Sequence, residues 1–68
     1  MDKKQKELFY EMAIALEPEN LYMDGECGQA EAKRRYNRIM KMWKQLEKIV
    51  GRKVSQHEAF GFRDEIYG

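Results

Sequence analysis

The chain has 68 residues, a formal net charge of +1, 43% hydrophobic residues and 37% charged residues. This length permits one domain with a small core, because a chain of about 60 residues buries only about 60% of the surface that it exposes when unfolded. The composition is too apolar for simple disorder, and the apolar runs fall short of the roughly 20 residues that a membrane span needs. The single cysteine, Cys27, excludes a disulfide framework and a zinc quartet, and the charged start is unlike a signal peptide, so we expect a cytoplasmic protein.

The first predicted helix covers residues 3–17. Asp2 precedes it as a suitable N-cap, since its carboxylate can accept hydrogen bonds from the N–H groups of the first turn. Five apolar residues recur at helical spacing and form one face, namely Leu8, Phe9, Met12, Ala13 and Leu16. Pro18 is expected to end the helix, because proline has no N–H and disfavours helical geometry in the residue before it.

Residues 18–28 are predicted to form a connecting loop with a turn at Asp24-Gly25. The stretch 20–31 matches part of a calcium-binding loop, and the matching residues are Asn20, Asp24, Gly25 and Glu31. Tyr22 and Gly28 stand at two positions where such a loop needs oxygen ligands. We therefore favour a plain glycine turn and predict no bound metal.

The second predicted helix, residues 29–50, is the most informative part of the sequence, and Gly51 is well suited to end it. Six residues alternate at spacings of four and three, which is typical of a seam that packs on another helix: Ala32, Tyr36, Ile39, Trp43, Leu46 and Val50. At about 1.5 Å per residue the helix is roughly 33 Å long, so the first helix is too short to cover the whole seam. Further apolar residues widen this surface, namely Met40, Met42 and Ile49.

Positive charge is concentrated in the same region. Residues 29–53 carry +7 (nine minus two), whereas residues 1–28 carry −4 (three minus seven) and residues 54–68 carry −2 (one minus three). The basic residues that we predict to bind a partner are Lys33, Arg34, Arg38, Lys41, Lys44, Lys48 and Arg52. Such a row can bind an acidic protein surface or follow a phosphate backbone. The plainer alternative is a solvated helix face that acidic residues of the first helix partly neutralise.

The third predicted helix covers residues 56–66. Ser55 and Glu58 have the spacing of a capping box, and Gly61 is expected to weaken the helix by about 1 kcal/mol. Period-two alternation is absent, which disfavours strands. We therefore predict an all-α fold in one domain, 1–68: a helical hairpin plus a short third helix, a three-helix arrangement, with homodimerisation left open.

Side chains suited to catalysis are scattered along the chain. His57 is the only histidine, and capping accounts for Ser55 without a nucleophilic role. Asp64 and Glu65 are adjacent, so on a helix they point about 100° apart and do not form a catalytic pair. We predict no catalytic site, no cofactor and no small-molecule substrate.

These patterns favour a non-enzymatic protein-interaction module that binds or modulates a larger macromolecular complex, or that self-associates. The apolar residues predicted to anchor the partner are Tyr36, Met40, Trp43, Phe60 and Phe62. The alternative is a nucleic-acid-binding protein that uses the basic row with little sequence specificity. The composition, rich in Lys, Glu, Met and Tyr, is similar in style to small accessory proteins of phages and mobile elements, and this resemblance implies an accessory or inhibitor role.

Overall fold

The computed structural model describes residues 1–22 and 28–68, and these residues form an all-α fold, as predicted. The helices are α1 (Lys3–Ala15), α2 (Pro18–Leu21), α3 (Gln29–Val50) and α4 (Gln56–Tyr67). The described residues thus contain four helices, because the predicted loop at 18–28 begins with the short helix α2. Cys27 and the predicted turn at Asp24-Gly25 lie outside the described residues, and so does the centre of the partial calcium-loop pattern.

The start of α1 agrees with the prediction, but its end does not. The Gln5 N–H donates to Asp2 Oδ1 at 2.8 Å and the Asp2 N–H donates to Gln5 Oε1 at 2.9 Å, so the two residues form a capping box. The helix ends at Ala15, two residues earlier than predicted. Pro18 forces Glu17 into an extended conformation and then occupies the first turn of α2, where its missing N–H costs nothing.

The bounds of α3 are confirmed, and its end is tied to the next segment. Gly51 has φ of 84°, a left-handed conformation that favours glycine, and its N–H donates to the Glu47 carbonyl at 2.9 Å. The Glu47 side chain also binds the segment that follows α3: its Oε2 accepts a hydrogen bond from the Val54 N–H at 2.7 Å. These bonds fix the direction in which the chain leaves α3.

Half of the predicted capping box of α4 is present. Ser55 Oγ accepts from the Glu58 N–H at 3.0 Å. The second hydrogen bond of the box, from the Ser55 N–H to the Glu58 carboxylate, was predicted wrongly. The Glu58 carboxylate binds the guanidinium of Arg52 instead. The helix continues through Gly61 to Tyr67, one residue beyond the predicted end.

Helix α1 lies at the centre of the fold and runs antiparallel to α4. Along this pair, Lys6 Nζ lies 3.4 Å from Glu65 Oε2, and the Gln56 Nε2–H donates to the Ala13 carbonyl at 3.2 Å. Helix α1 also packs on α3, but less closely, and within the described residues the backbones of α3 and α4 do not come into close contact. The predicted α1–α3 pair therefore exists, but the closest neighbour of α1 is α4.

The core forms around Phe9, whose side chain is fully buried. The Phe9 ring packs on the ring of Trp43, with centroids 5.1 Å apart, and on the ring of Phe62, at 6.4 Å. The Trp43 Nε1–H donates to the buried carbonyl of Val54 at 3.0 Å. The buried residues of this core are Phe9, Met12, Ala13, Trp43, Leu46, Val54, Ala59, Phe62 and Ile66.

Two predicted partner anchors are therefore core residues. Trp43 and Phe62 pack against Phe9, and their burial leaves no surface for another protein. The sequence places both at helical spacing on an apolar face, and that pattern is the same for a core residue and for an interface residue. The indole N–H of Trp43 donates to the carbonyl of Val54. Val54 lies between α3 and α4, and the position of that segment depends on the whole fold.

Candidate partner-binding surfaces

The outer surface of α3 carries most of the predicted basic residues. We call this surface the basic face, and its exposed members are Lys33, Arg34, Arg38, Lys41, Lys44 and Lys48. They surround the side of α3 that points away from Trp43, since successive residues of a helix are about 100° apart. The helix is held at both ends by the rest of the fold, so the basic face is presented on a rigid element.

Most of these cations are not engaged in an ion pair with another described residue. Within the described residues, Arg38, Lys41, Lys44 and Lys48 form no ion pair with Asp or Glu. Arg34 is the exception, because its guanidinium lies 3.6 Å from Glu31 one turn earlier. The first-turn position of Glu31 also suits the helix dipole.

Among the described residues, the acidic residues of α1 form no ion pair with the basic face. The ion pairs of the described residues link α1 to α4, or lie within α3, or join Arg52 to Glu58. None links Glu7 or Glu11 to α3. The alternative of a face neutralised by the first helix therefore has no support in these contacts.

Arg52 is a separate case within the predicted basic set. Its guanidinium binds the Glu58 carboxylate through two hydrogen bonds and also donates to the Lys53 carbonyl at 3.0 Å. The hydrogen bonds with Arg52 hold the pKa of the Glu58 carboxyl below its usual value, and the same contact raises the pKa of Arg52. Arg52 thus links the end of α3 to the start of α4, and its charge is already partnered.

Among the predicted apolar anchors, Tyr36 and Met40 remain accessible. Tyr36 is 45% exposed and Met40 is half-buried. Both line a cavity of about 310 Å³ beside Lys44 and Glu47, at the end of α1. Phe60 is half-buried and packs against the core, which leaves it little surface for a partner. The accessible anchors therefore lie next to the basic face.

A second surface was not predicted as a site. We call it the α1–α3 groove: it has a volume of about 410 Å³ and lies between the two helices. Its lining residues are Leu8, Glu11, Met12, Ala15, Ile39, Met42, Gln45, Leu46 and Ile49. Leu8 is 42% exposed, Met42 is 49% exposed and Ile49 is 71% exposed. The sequence did indicate that Met42 and Ile49 widen the apolar surface beside the seam of α3. Their position next to Leu8, however, depends on how α1 packs on α3.

Catalytic and metal-binding groups do not converge in the part of the chain that the structure describes. No group of three or more His, Cys, Asp or Glu residues there could hold a metal ion. His57 is exposed in the first turn of α4, and the Ser55 hydroxyl is engaged by the Glu58 N–H. No described helix is long and apolar enough to cross a bilayer. The absence of an enzymatic activity stays a prediction.

No protein-family model, curated protein or solved structure matches this chain. We therefore argue function from the two surfaces themselves.

Proposed function

We propose that this protein is a non-catalytic binding module that docks the basic face of α3 on an acidic surface of a partner protein within a larger complex. The observation that carries the proposal is that, among the described residues, five of the six exposed cations of the basic face form no ion pair, and four of these lie in the second half of α3: Arg38, Lys41, Lys44 and Lys48. They extend along about 15 Å of one helix. Exposed charges of one sign on a rigid helix steer an oppositely charged partner and select against others.

The neighbouring apolar residues favour a protein as the partner. Tyr36 and Met40 lie beside Lys44 around one cavity, which combines a cation with an aromatic and a flexible thioether side chain. Tyr, Met and Arg are enriched in protein interfaces, and Met adapts to irregular surfaces. A partner with acidic residues around an apolar projection would match this arrangement.

Nucleic-acid binding is the second candidate, and the unpaired cations favour it as well. Lys and Arg on one helix face can contact successive phosphates and release counterions. The two candidates differ in salt dependence and in the part that the apolar residues play. Binding to an oligonucleotide would weaken steeply with salt and would depend little on Met40.

A neutralised triple variant tests the basic face. We expect Lys41→Gln, Lys44→Gln and Lys48→Gln together to abolish capture of a partner from host lysate, because they remove the unpaired charge without adding bulk. The matched control is Lys3→Gln, Lys4→Gln and Lys53→Gln, which removes the same charge from exposed lysines outside α3. Capture that is unchanged in the α3 variant would contradict the proposal.

Nuclease treatment and oligonucleotide binding separate the two candidates. A protein partner survives nuclease treatment of the lysate and is lost with Met40→Ala. If nucleic acid is the ligand, wild-type protein raises the fluorescence anisotropy of labelled single-stranded or duplex oligonucleotides at low salt. The triple variant then loses this binding, whereas Met40→Ala retains it.

Three finer proposals accompany this one. The lone cysteine supports a cytoplasmic setting, since secreted proteins of this size are usually rich in disulfides. The amino-acid composition, rich in Lys, Glu, Met and Tyr, supports an accessory or inhibitor role in a phage or mobile element. Self-association has a structural basis of its own, the α1–α3 groove.

A further inference from the structure

The cavity beside Lys44, which we call the Tyr36 cavity, is built by three segments that meet at the core. Its apolar walls come from the end of α1, from α3 and from the segment before α4: Leu16, Tyr36, Met40, Trp43 and Val54. Trp43 and Val54 are buried, whereas Tyr36 is 45% exposed, so the cavity opens to solvent beside Tyr36. Its volume of about 310 Å³ is at the lower end of the range for ligand pockets, which leaves room for one large side chain.

The polar groups of the Tyr36 cavity are mostly engaged within the fold. The Glu47 Oε2 accepts from the Val54 N–H, and the Gln56 Nε2–H donates to the Ala13 carbonyl. Lys44 forms no ion pair with a residue in the described part of the chain. The Glu47 carboxylate disfavours a second carboxylate inside the cavity, because like charges repel at short range. The cavity therefore suits an apolar side chain whose acidic neighbours lie outside it, on the basic face.

We propose that the Tyr36 cavity takes one aromatic side chain of an acidic segment in the partner protein. This inference rests on the proposed function, because it names the part of the partner that docks beside the basic face. An aromatic anchor suits the walls, since aromatic rings pack favourably on one another and on the thioether of methionine. Tyr36 and Met40 offer both kinds of contact.

The lysines on either side of the cavity define the spacing of the acidic residues. Lys33, Met40 and Lys44 lie within about 40° of one another around α3, because the helix has 3.6 residues per turn. Along the helix axis, Lys33 precedes Met40 by about 10 Å and Lys44 follows it by about 6 Å. Both lysines are exposed, and neither forms an ion pair within residues 1–22 and 28–68.

These distances translate into a short sequence pattern. An extended segment spans them with the fewest residues, since it rises about 3.3 Å per residue. Its acidic residues then stand three positions to one side of the aromatic anchor and two positions to the other. The charges place the segment along α3, and the anchor fixes its register.

Intrinsic fluorescence tests the proposal, because Trp43 is the only tryptophan and lines the cavity. The probe is the capped peptide Asp-Ser-Gly-Phe-Ser-Asp, together with its reversed sequence, since an extended chain can run in either direction along α3. We expect one of the two to change the Trp43 emission, with half-saturation below about 1 mM at low salt. Replacing Phe by Ala in that peptide is expected to weaken binding by about tenfold or more. Replacing both Asp by Asn is expected to weaken it by about fivefold and to remove its salt dependence.

Two methionines of α3 give a matched pair of variants. Met40→Ala removes a wall of the cavity, and we expect it to weaken peptide binding by about fivefold or more. Met42→Ala makes the same change on the other side of Trp43, where Met42 is 49% exposed in the α1–α3 groove. We expect the second variant to bind within about twofold of the wild type. Circular dichroism confirms that both variants keep their helices.

A second pair of variants keeps the test decisive if Met40→Ala unfolds. Lys44→Gln changes an exposed residue, and we expect it to weaken peptide binding by about threefold at low salt. Its control is Lys4→Gln, which removes the same charge from an exposed position on α1 and is expected to bind the peptide like the wild type.

Three results would overturn the proposal: neither peptide changes the Trp43 emission, the Ala peptide binds as tightly as the Phe peptide, or Met42→Ala weakens binding as much as Met40→Ala. A Trp43 emission that shifts with protein concentration alone would identify a second copy of the chain as the occupant, and it would overturn the proposal as well. The proposed function is decided separately, by lysate capture with the triple lysine variant. Acidic peptides that bind the basic face without the aromatic anchor would remove this inference and leave the proposed function standing.

Discussion

Helix α1 packs on its two neighbours in different ways. Against α4 the backbones approach closely, and the core on this side includes the fully buried alanines Ala13 and Ala59 and the ring of Phe62. Against α3 the backbones are in close contact over a smaller part of their length, and the rings of Phe9 and Trp43 pack on each other. The first contact is closed, whereas the second leaves the α1–α3 groove open beside the rings.

This difference indicates that the size of the side chains between two packed helices affects where a small helical protein has an accessible apolar surface. The distance between two packed helices depends on the side chains at their contact, so the small side chains of Ala13 and Ala59 favour a close approach of α1 and α4. Aromatic side chains bury large areas, and beside the Phe9–Trp43 pair the α1–α3 groove stays open. The same helix supplies both kinds of contact, about one turn apart.

The largest expected effect comes from Phe9→Ala, which breaks both contacts at once. The ring packs on Trp43 and on Phe62, so its loss leaves a cavity between all three long helices. We expect a loss of about 3–5 kcal/mol in the free energy of unfolding, which is most of the stability of a domain this small. Urea unfolding followed by circular dichroism measures it. Leu8→Ala, at the exposed neighbouring position, is the control and is expected to cost less than about 1 kcal/mol.

A pair of identical substitutions sharpens the comparison. Ala13→Leu introduces a large side chain into the closed contact with α4, and we expect it to destabilise the fold by about 1–3 kcal/mol. Ala15→Leu places the same side chain at the open groove, where there is room for it, and we expect a change near zero. Equal costs at the two positions, measured by thermal or urea unfolding, would show that the two contacts are equally tight.

Trp43→Phe tests how α3 is fixed to the segment after it. The substitution keeps an aromatic ring but removes the N–H that binds the buried Val54 carbonyl. We expect a loss of about 1–2 kcal/mol, because a buried acceptor loses its donor. Amide hydrogen exchange of residues 54–59 offers a second measurement, and we expect protection there to fall more than in α1.

The smallest effect is expected outside both contacts, at the Arg52–Glu58 pair. Because Arg52 lowers the pKa of Glu58 in the folded state, the pair stabilises the fold above the usual carboxyl pKa of about 4.3. This contribution is lost as the pH falls through the lowered value, where Glu58 becomes protonated. The urea midpoint of the wild type is therefore expected to exceed that of Glu58→Gln at pH 7 and to converge with it at lower pH. A constant difference across that range would contradict this assignment.

Local signals along the chain predicted the helices well. Gly51 and Ser55 identified the end of α3 and the start of α4, because their roles depend on backbone groups only a few residues away. Pro18 was predicted to end one helix and to begin a loop that could contain a short turn, and the structure shows that turn as the helix α2, whose first residue is Pro18. Helix bounds follow from short-range chemistry, which a single sequence contains.

The arrangement of the helices and the sites was less predictable. An apolar stripe shows that a helix face is covered, but not by which helix, so the central position of α1 could not be read from periodicity. For the same reason Trp43 was predicted as a partner anchor, although it is a core residue. The basic residues were predicted more simply, because exposed charges need no specific neighbour.

The pairing of the first helix with the last has a consequence for how the chain folds. The hydrogen bond between Gln56 and Ala13 joins residues 43 positions apart. Closing a loop of this length costs roughly 3 kcal/mol of chain entropy before α1 and α4 can pack on each other. Small helical proteins usually fold fast because their contacts are local. We expect this one to refold more slowly than a helical hairpin of equal length, with the apolar face of α1 exposed until the end of the chain arrives to cover it.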